Sequence, residues 1–205
     1  MHTYNESIKE KLILVVAEMA AFDGWSEKTL KKATLKAGVS FREAKSLFPR
    51  GGIDLAKFYH QYKDQCFLSN FKDFEITNLS HSEKVELALK MRFKVIEGDK
   101  EAFRRSIALF ATPMYQLEAI NLIWSTCDLI WIGIGDKSFD LTWYTKRIIL
   151  VSIYLSALLF FIGDDSIDNK ETEDFIIRRM QDVGKIGKLK PNFDEFFKKL
   201  IIIFR

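Results

Sequence analysis

Apolar residues recur along most of this chain at spacings of three and four, and no useful stretch alternates with a period of two. The pattern predicts helices and no strands. Ile8, Leu12, Val15, Val16 and Met19 mark a first helix over 7–22, ended by Gly24. Further helices are expected over 27–37, stopped by Gly38, and over 41–48, stopped by Pro49. The same pattern continues over 53–71, 81–97 and 100–111, then over 113–134 with Pro113 in the first turn, where a helix tolerates it. A helix over 140–162 has Asp140 as its cap, another covers 171–183, and a last one begins after Asn192. Ser7 with Glu10, Ser40 with Glu43 and Ser80 with Glu83 have capping-box spacing, in which each side chain takes the other's free amide. Ser26 is an N-cap candidate by itself.

The expected fold is all-α, a bundle of about ten helices in three parts. Residues 1–50 form a head: helix, short helix, the turn Ala37-Gly38-Val39-Ser40 and a second short helix have a helix-turn-helix outline. Residues 51–184 form a larger body. Residues 185–205 combine a basic linker, with Lys185, Lys188 and Lys190, and an amphipathic helix. In that helix Phe193, Phe196, Phe197, Leu200, Ile201 and Phe204 make one apolar stripe, with Asp194, Glu195, Lys198, Lys199 and Arg205 largely off it. Phe-rich amphipathic helices next to lysines suit a membrane interface, although such a stripe also packs on a protein body or a second copy.

Composition adjusts this picture modestly. The 205 residues are 48% hydrophobic and 29% charged, enough apolar mass for a core with enough charge to argue against a polytopic membrane protein. The run 148–162 is nearly all apolar, but it is shorter than the roughly 20 residues of a spanning helix, so it is expected as a buried central helix. Eighteen Phe and four Trp exceed what a plain helical core needs and suit either a cavity lining or a biased genome. The net charge of +3 does not demand nucleic acid and is compatible with an anionic membrane surface. Cys66 and Cys127 have no metal or redox spacing and are expected as reduced thiols of an intracellular protein, with a single disulfide left open. The opening residues read as neither a signal peptide nor an Arg-rich transit segment, which favours a bacterial source.

Catalytic patterns are lacking. The three histidines, His2, His60 and His81, are far apart, and no Glu-x-x-His pair exists from which a four-helix di-iron site is built. No phosphate-binding glycine motif occurs. The acidic loop 164–174 fails calcium-loop spacing, with Asn169 where glycine is required and Phe175 where glutamate is required. No catalytic residue, metal or cofactor is assigned. The recognition helix Phe41-Arg42-Glu43-Ala44-Lys45-Ser46-Leu47-Phe48 carries two cations and one acid, so DNA binding and a purely structural head both remain open.

The most specific stretch is Gly135-Asp136-Lys137-Ser138-x-Asp140-x-x-Trp143-Tyr144-Thr145-Lys146-Arg147, followed by Leu150 and Ile153-Tyr154. Trp143 and Arg147 share one helix face. With Asp164-Asp165-Ser166 and Thr172-x-x-Phe175-x-x-x-Arg179, the stretch resembles the TetR-like accessory proteins of ubiquinone biosynthesis, the coenzyme Q nine family. Gly24-Trp25 and Ala37-Gly38-Val39-Ser40 agree with that family's degenerate helix-turn-helix; Thr142 departs from it, where Asn is expected. The resemblance implies a homodimeric, non-catalytic, TetR-like bundle that binds an isoprenoid lipid or ubiquinone precursor and no nucleic acid. It implies peripheral membrane contact through the terminal helix, on the cytoplasmic side of a bacterial inner membrane or the matrix side of the mitochondrial one. The partner it implies is the demethoxy-ubiquinone di-iron hydroxylase, bound through Asp140, Trp143, Tyr144 and Arg147. Helices 113–134 and 140–162 are apolar nearly all round from Trp124 through Ile134 and from Ile148 through Ile162, as core helices and lipid-cavity helices both are. Trp124, Ile130, Trp131, Leu158 and Phe161 are the candidate lining residues, and plain core packing selects the same ones. The alternative is a ligand-responsive repressor of the TetR type.

Overall fold

The structure is a computed structural model and describes residues 2–139 and 141–189. Among the described residues there are nine α-helices and no strand, and 82% of these residues are helical. The helices are α1 (His2–Asp23), α2 (Glu27–Ala37), α3 (Phe41–Leu47), α4 (Gly52–Lys72), α5 (His81–Glu97), α6 (Lys100–Phe110), α7 (Gln116–Gly133), α8 (Leu141–Phe161) and α9 (Lys170–Leu189). Short 3₁₀ turns cover Pro113–Tyr115 and Ile167–Asn169.

Most expected helix starts are present for the expected reason. The Ser26 hydroxyl accepts from the Thr29 amide at 3.1 Å, and the Ser40 hydroxyl accepts from the Glu43 amide at 3.1 Å. At α5 the box is reciprocal: the Ser80 amide donates to Glu83 at 2.8 Å and the Glu83 amide donates to the Ser80 hydroxyl at 3.3 Å. Gly38 ends α2 at φ 65°, a left-handed conformation that glycine adopts without a Cβ clash. Three expectations change. Ser7 lies inside α1 rather than at its start, because the chain from His2 is already helical. Pro113 opens a 3₁₀ turn ahead of α7 rather than α7 itself. The backbone stays helical as far as Leu189, through the stretch read as a linker; glycine at 184 and 187 weakens a helix by about 1 kcal/mol each but does not end it unless the backbone turns left-handed.

The chain forms two compact units. One takes the described residues up to Asp73 together with Arg92–Thr126; the other takes Phe74–Met91 together with the described residues from Cys127 onward. In the first, α1 packs against α2, α4 and α6. It buries Leu12, Ile13, Val16 and Ala20, and Leu30, Leu55, Tyr59 and Phe103 are equally enclosed. Trp25 joins α6 through a hydrogen bond from its Nε1 to the Ala102 carbonyl at 2.8 Å.

This apolar interior encloses two polar groupings. Arg92 is fully buried and its Nε donates to Asp64 at 2.7 Å, while the Thr126 hydroxyl donates to the same carboxylate at 3.0 Å. Burial pushes the Asp64 carboxyl upward against the pull of the Arg92 guanidinium. Nearby, His60 shares a 2.8 Å hydrogen bond between its Nε2 and the Ser106 hydroxyl, enclosed by the rings of Tyr59, Phe103 and Phe110. Burial, reinforced by the Arg92 charge, lowers the His60 imidazole to about 3 and keeps it neutral.

In the second unit α8 packs against α9, with Phe160 and Phe175 stacked at 4.6 Å. By length and composition alone α8 is long and apolar enough to cross a membrane. In the protein it buries one face, including Leu150, Ile153, Tyr154, Leu158 and Phe161. The acidic loop before α9 is organised by Asp164, which accepts from the Ser166 amide at 2.9 Å, the Thr172 amide at 2.8 Å and the Thr172 hydroxyl at 2.5 Å.

A folded-state pKa far below that of the unfolded chain means that acid favours unfolding, since the unfolded imidazole takes up a proton that the folded one refuses. Stability should therefore fall as the pH drops below about 6.5. Relative to a His60→Gln variant, the native chain should lose up to about 1.4 kcal/mol per pH unit between about pH 6 and 4. Urea unfolding across that range measures it, and parallel pH profiles for the two proteins would rule out His60 as the cause.

Candidate functional site

The site lies in the second unit and begins where α7 stops. Gly135, at φ 80°, turns the chain so that the Asp136 amide donates back to the Trp131 carbonyl at 2.9 Å. That turn sets the Asp136 carboxylate against the second turn of α8, with its side chain 3% exposed. Its Oδ1 accepts from Lys146 Nζ at 2.7 Å and from the Ser138 hydroxyl at 2.6 Å, and Lys146 also donates to Ser138 at 2.7 Å. Its Oδ2 is buried without a hydrogen bond and lies 3.5 Å from Arg147 Nη1. Burial raises this carboxyl, but the bonds from Lys146 and Ser138 outweigh burial and hold it at about 2.

Arg147 is the second cation of the cluster and is only 2% exposed. Its Nε donates to Asp128 Oδ1 at 2.6 Å and its Nη1 to the Trp143 carbonyl at 3.2 Å. Its guanidinium sits 3.8 Å from the centre of the Trp143 ring, a cation–π contact one helical turn long. Trp143 is half-buried and meets Tyr144 edge-on at 4.7 Å; Tyr144 is 55% exposed. The surface therefore shows the two aromatics, while Arg147 reaches it through the indole it holds.

On the adjoining face of α8 lies a cavity of about 340 Å³ with a nearly all-apolar lining. It takes Val85 from α5, Trp131 from α7, Leu150 and Ile153 from α8 and Met180 from α9. His81 and Lys146 also line it and converge on Trp131: the His81 ring stacks on the indole at 5.2 Å, and Lys146 Nζ is 5.4 Å from the ring centre. The Trp131 Nε1 is buried without a hydrogen-bond partner.

Of the candidate lining residues, Trp131 alone lines this cavity. Ile130, Leu158 and Phe161 are packed in the interior, and Trp124 is half-buried on the part of α7 that belongs to the other unit. Asp140 and the stripe Phe193, Phe196, Phe197, Leu200, Ile201 and Phe204 lie outside the described residues. Sequence reasoning missed Asp128 and gave Asp136 no role, since ion pairs spanning eleven and nineteen residues leave no periodic trace. No cluster of three or more metal-binding side chains occurs among the described residues.

Residues 117–187, which contain the ion-pair cluster and the α7, α8 and α9 walls of the cavity, match the model of the COQ9 family. The chain carries a COQ9 domain. It is 30% identical over 178 residues to the probable ubiquinone biosynthesis protein coq9, mitochondrial, of Dictyostelium discoideum, covering 84% of this chain and 58% of that protein. It is 24% identical over 189 residues to the human ubiquinone biosynthesis protein COQ9, mitochondrial, covering 89% and 59%. The Drosophila melanogaster protein of that name is 22% identical, covering 88% and 56%. The chain thus spans less than two thirds of the length of each of these relatives. Among solved structures, a TetR transcriptional regulator from Nitrosomonas europaea superposes with a TM-score of 0.70 at 17% identity, over 85% of this chain and 97% of that one. The COQ9 domain therefore sits in a chain of TetR-like fold.

Asp136→Asn keeps the shape of the side chain but removes the charge between Lys146 and Arg147. It should lower the unfolding free energy by about 1–3 kcal/mol at pH 7. The native carboxyl ionises below its unfolded value, so this advantage is complete above about pH 4 and fades as the pH falls towards about 2. Denaturant curves of both proteins at pH 7 and pH 3 test this, and an equal gap at both would exclude the charge.

Proposed function

We propose that this chain is a non-catalytic accessory protein of ubiquinone biosynthesis. It binds an isoprenoid quinone intermediate in the cavity beside α8 and presents it to a demethoxy-ubiquinone di-iron hydroxylase. The observation that carries this reading is the double use of α8: its first turn holds Trp143 and Tyr144, and residues of the following turns wall an apolar cavity. Large amphipathic aromatics on a rigid helix are the residues that most often anchor a protein interface. Burial of a prenyl segment is favourable at roughly 25 cal/mol per Å² of apolar surface, so retention of the ligand requires no chemistry. The names of the relatives, which place them in ubiquinone biosynthesis and call them mitochondrial, agree with this role.

The same reading assigns residues 191–205 to membrane contact, on the matrix side of the mitochondrial inner membrane or the cytoplasmic side of a bacterial one. Further along α8, Ile148, Leu155 and Leu159 are exposed at spacings of seven and four, which supports a homodimer. The TetR-like fold by itself would suit a repressor. Against that, Lys32, Lys36 and Lys45 of the helix-turn-helix are each paired with an acid, Asp23, Glu18 and Glu27, which reduces the charge available to phosphates.

Native mass spectrometry with organic extraction should find isoprenoid lipid on a dimer. A lipid-free protein that shifts duplex DNA at physiological salt would overturn the proposal in favour of the repressor. Trp143→Ala with Tyr144→Ala should weaken hydroxylase binding by about tenfold or more, with thermal unfolding little changed; unaltered binding would remove the docking role. Deletion of 191–205 should abolish liposome flotation while circular dichroism retains the helical signal.

A further inference from the structure

The wall of the cavity is nearly all apolar, and its polar lining residues are those open to solvent at its mouth. His81 and Ser82 are exposed and Lys146 is partly so, whereas Val85, Leu150 and Ile153 are buried. The mouth is rich in donors. An ammonium carries three N–H groups, and Lys146 commits two of them, to Asp136 and Ser138. Neither ring nitrogen of His81 is hydrogen-bonded among the described residues, and in any tautomer one of them donates. The carboxylate in reach, Asp136, already accepts from Lys146 and Ser138 through one oxygen and faces Arg147 with the other. A ligand head here meets uncommitted donors and a positive charge.

We propose that the cavity takes a single-chain amphiphile with a hydrogen-bond-accepting oxygen at its head, carboxylate or carbonyl, placed at Lys146 and His81, with its chain along Ile149, Ile153 and Met180. This rests on the lipid-binding reading above and adds the chemistry of the head. At about 340 Å³ the cavity is near the lower end of small-ligand sites. It therefore encloses a short segment next to the head, and the rest of a long tail runs outside it. A cationic head is disfavoured by Lys146, and an alkane gains nothing from the mouth.

Calorimetric titration of the purified full chain with decanoate, 2-undecanone and decyltrimethylammonium, each below its micellar concentration, tests the head. Decanoate should bind best, the ketone less well and the cation least. Lys146→Met keeps an unbranched apolar stem and should weaken decanoate by about tenfold, with little effect on the cation. Because that variant leaves Asp136 without a partner, His81→Phe provides an independent check: it retains the ring stack on Trp131 but lacks donors, and should weaken both oxygen-headed probes. Equal binding of all three probes, unchanged in both variants, would overturn the head assignment while leaving lipid binding intact. Binding of none would overturn the lipid reading as well.

Discussion

Asp136 stands between two consecutive cations of α8, and the arrangement of the second unit depends on where that carboxylate is held. One oxygen is bonded to Lys146 and Ser138, and the other faces Arg147. A charge enclosed in this way is costly unless it is paired and hydrogen-bonded. The pairing in turn constrains the register of α8 against the end of α7, because slipping α8 by one residue would leave only one of the two cations in place beside it. Gly135 makes the constraint attainable, since only a left-handed residue turns the chain sharply enough to bring Asp136 back beneath Trp131.

From this anchor α8 acquires two faces with different uses. Arg147, tied to Asp128, lies under the Trp143 ring and sets its orientation. Lys146, tied to Asp136, leans over Trp131 at the cavity mouth. Adjacent residues on a helix point about 100° apart. One carboxylate between two neighbouring cations therefore links the aromatic surface pair with the cavity, through contacts of 2.7 and 3.5 Å. In the proposed function this places the ligand head and the docking aromatics on the same rigid helix.

The first unit is built on a different constraint. Its interior encloses an Arg92–Asp64–Thr126 grouping and a neutral His60 on Ser106. These groups bond to one another where water is excluded, and buried polar contacts of this kind favour one packing of α4 and α6 over alternatives that would break them. The helix-turn-helix outline survives as geometry, with Ser26, Gly38 and Ser40 in their expected capping roles, while several of its lysines are engaged in ion pairs.

Helix content, most helix limits and the family were already legible in the chain, because they rest on local signals: apolar periodicity, serine caps, a left-handed glycine, and the compact run from Gly135 to Arg147. Where local signals misled, as at Ser7 and along 184–189, a residue type that favours a helix end sat in a sequence that remained helical for other reasons. The cavity and its mouth were decided by tertiary structure. His81, Trp131, Lys146 and Met180 are up to about a hundred residues apart and belong to four helices, so no spacing in the sequence brings them together. The same holds for burial: Trp131 and Leu158 read alike as apolar residues on core helices, and only packing leaves space beside one and fills it around the other.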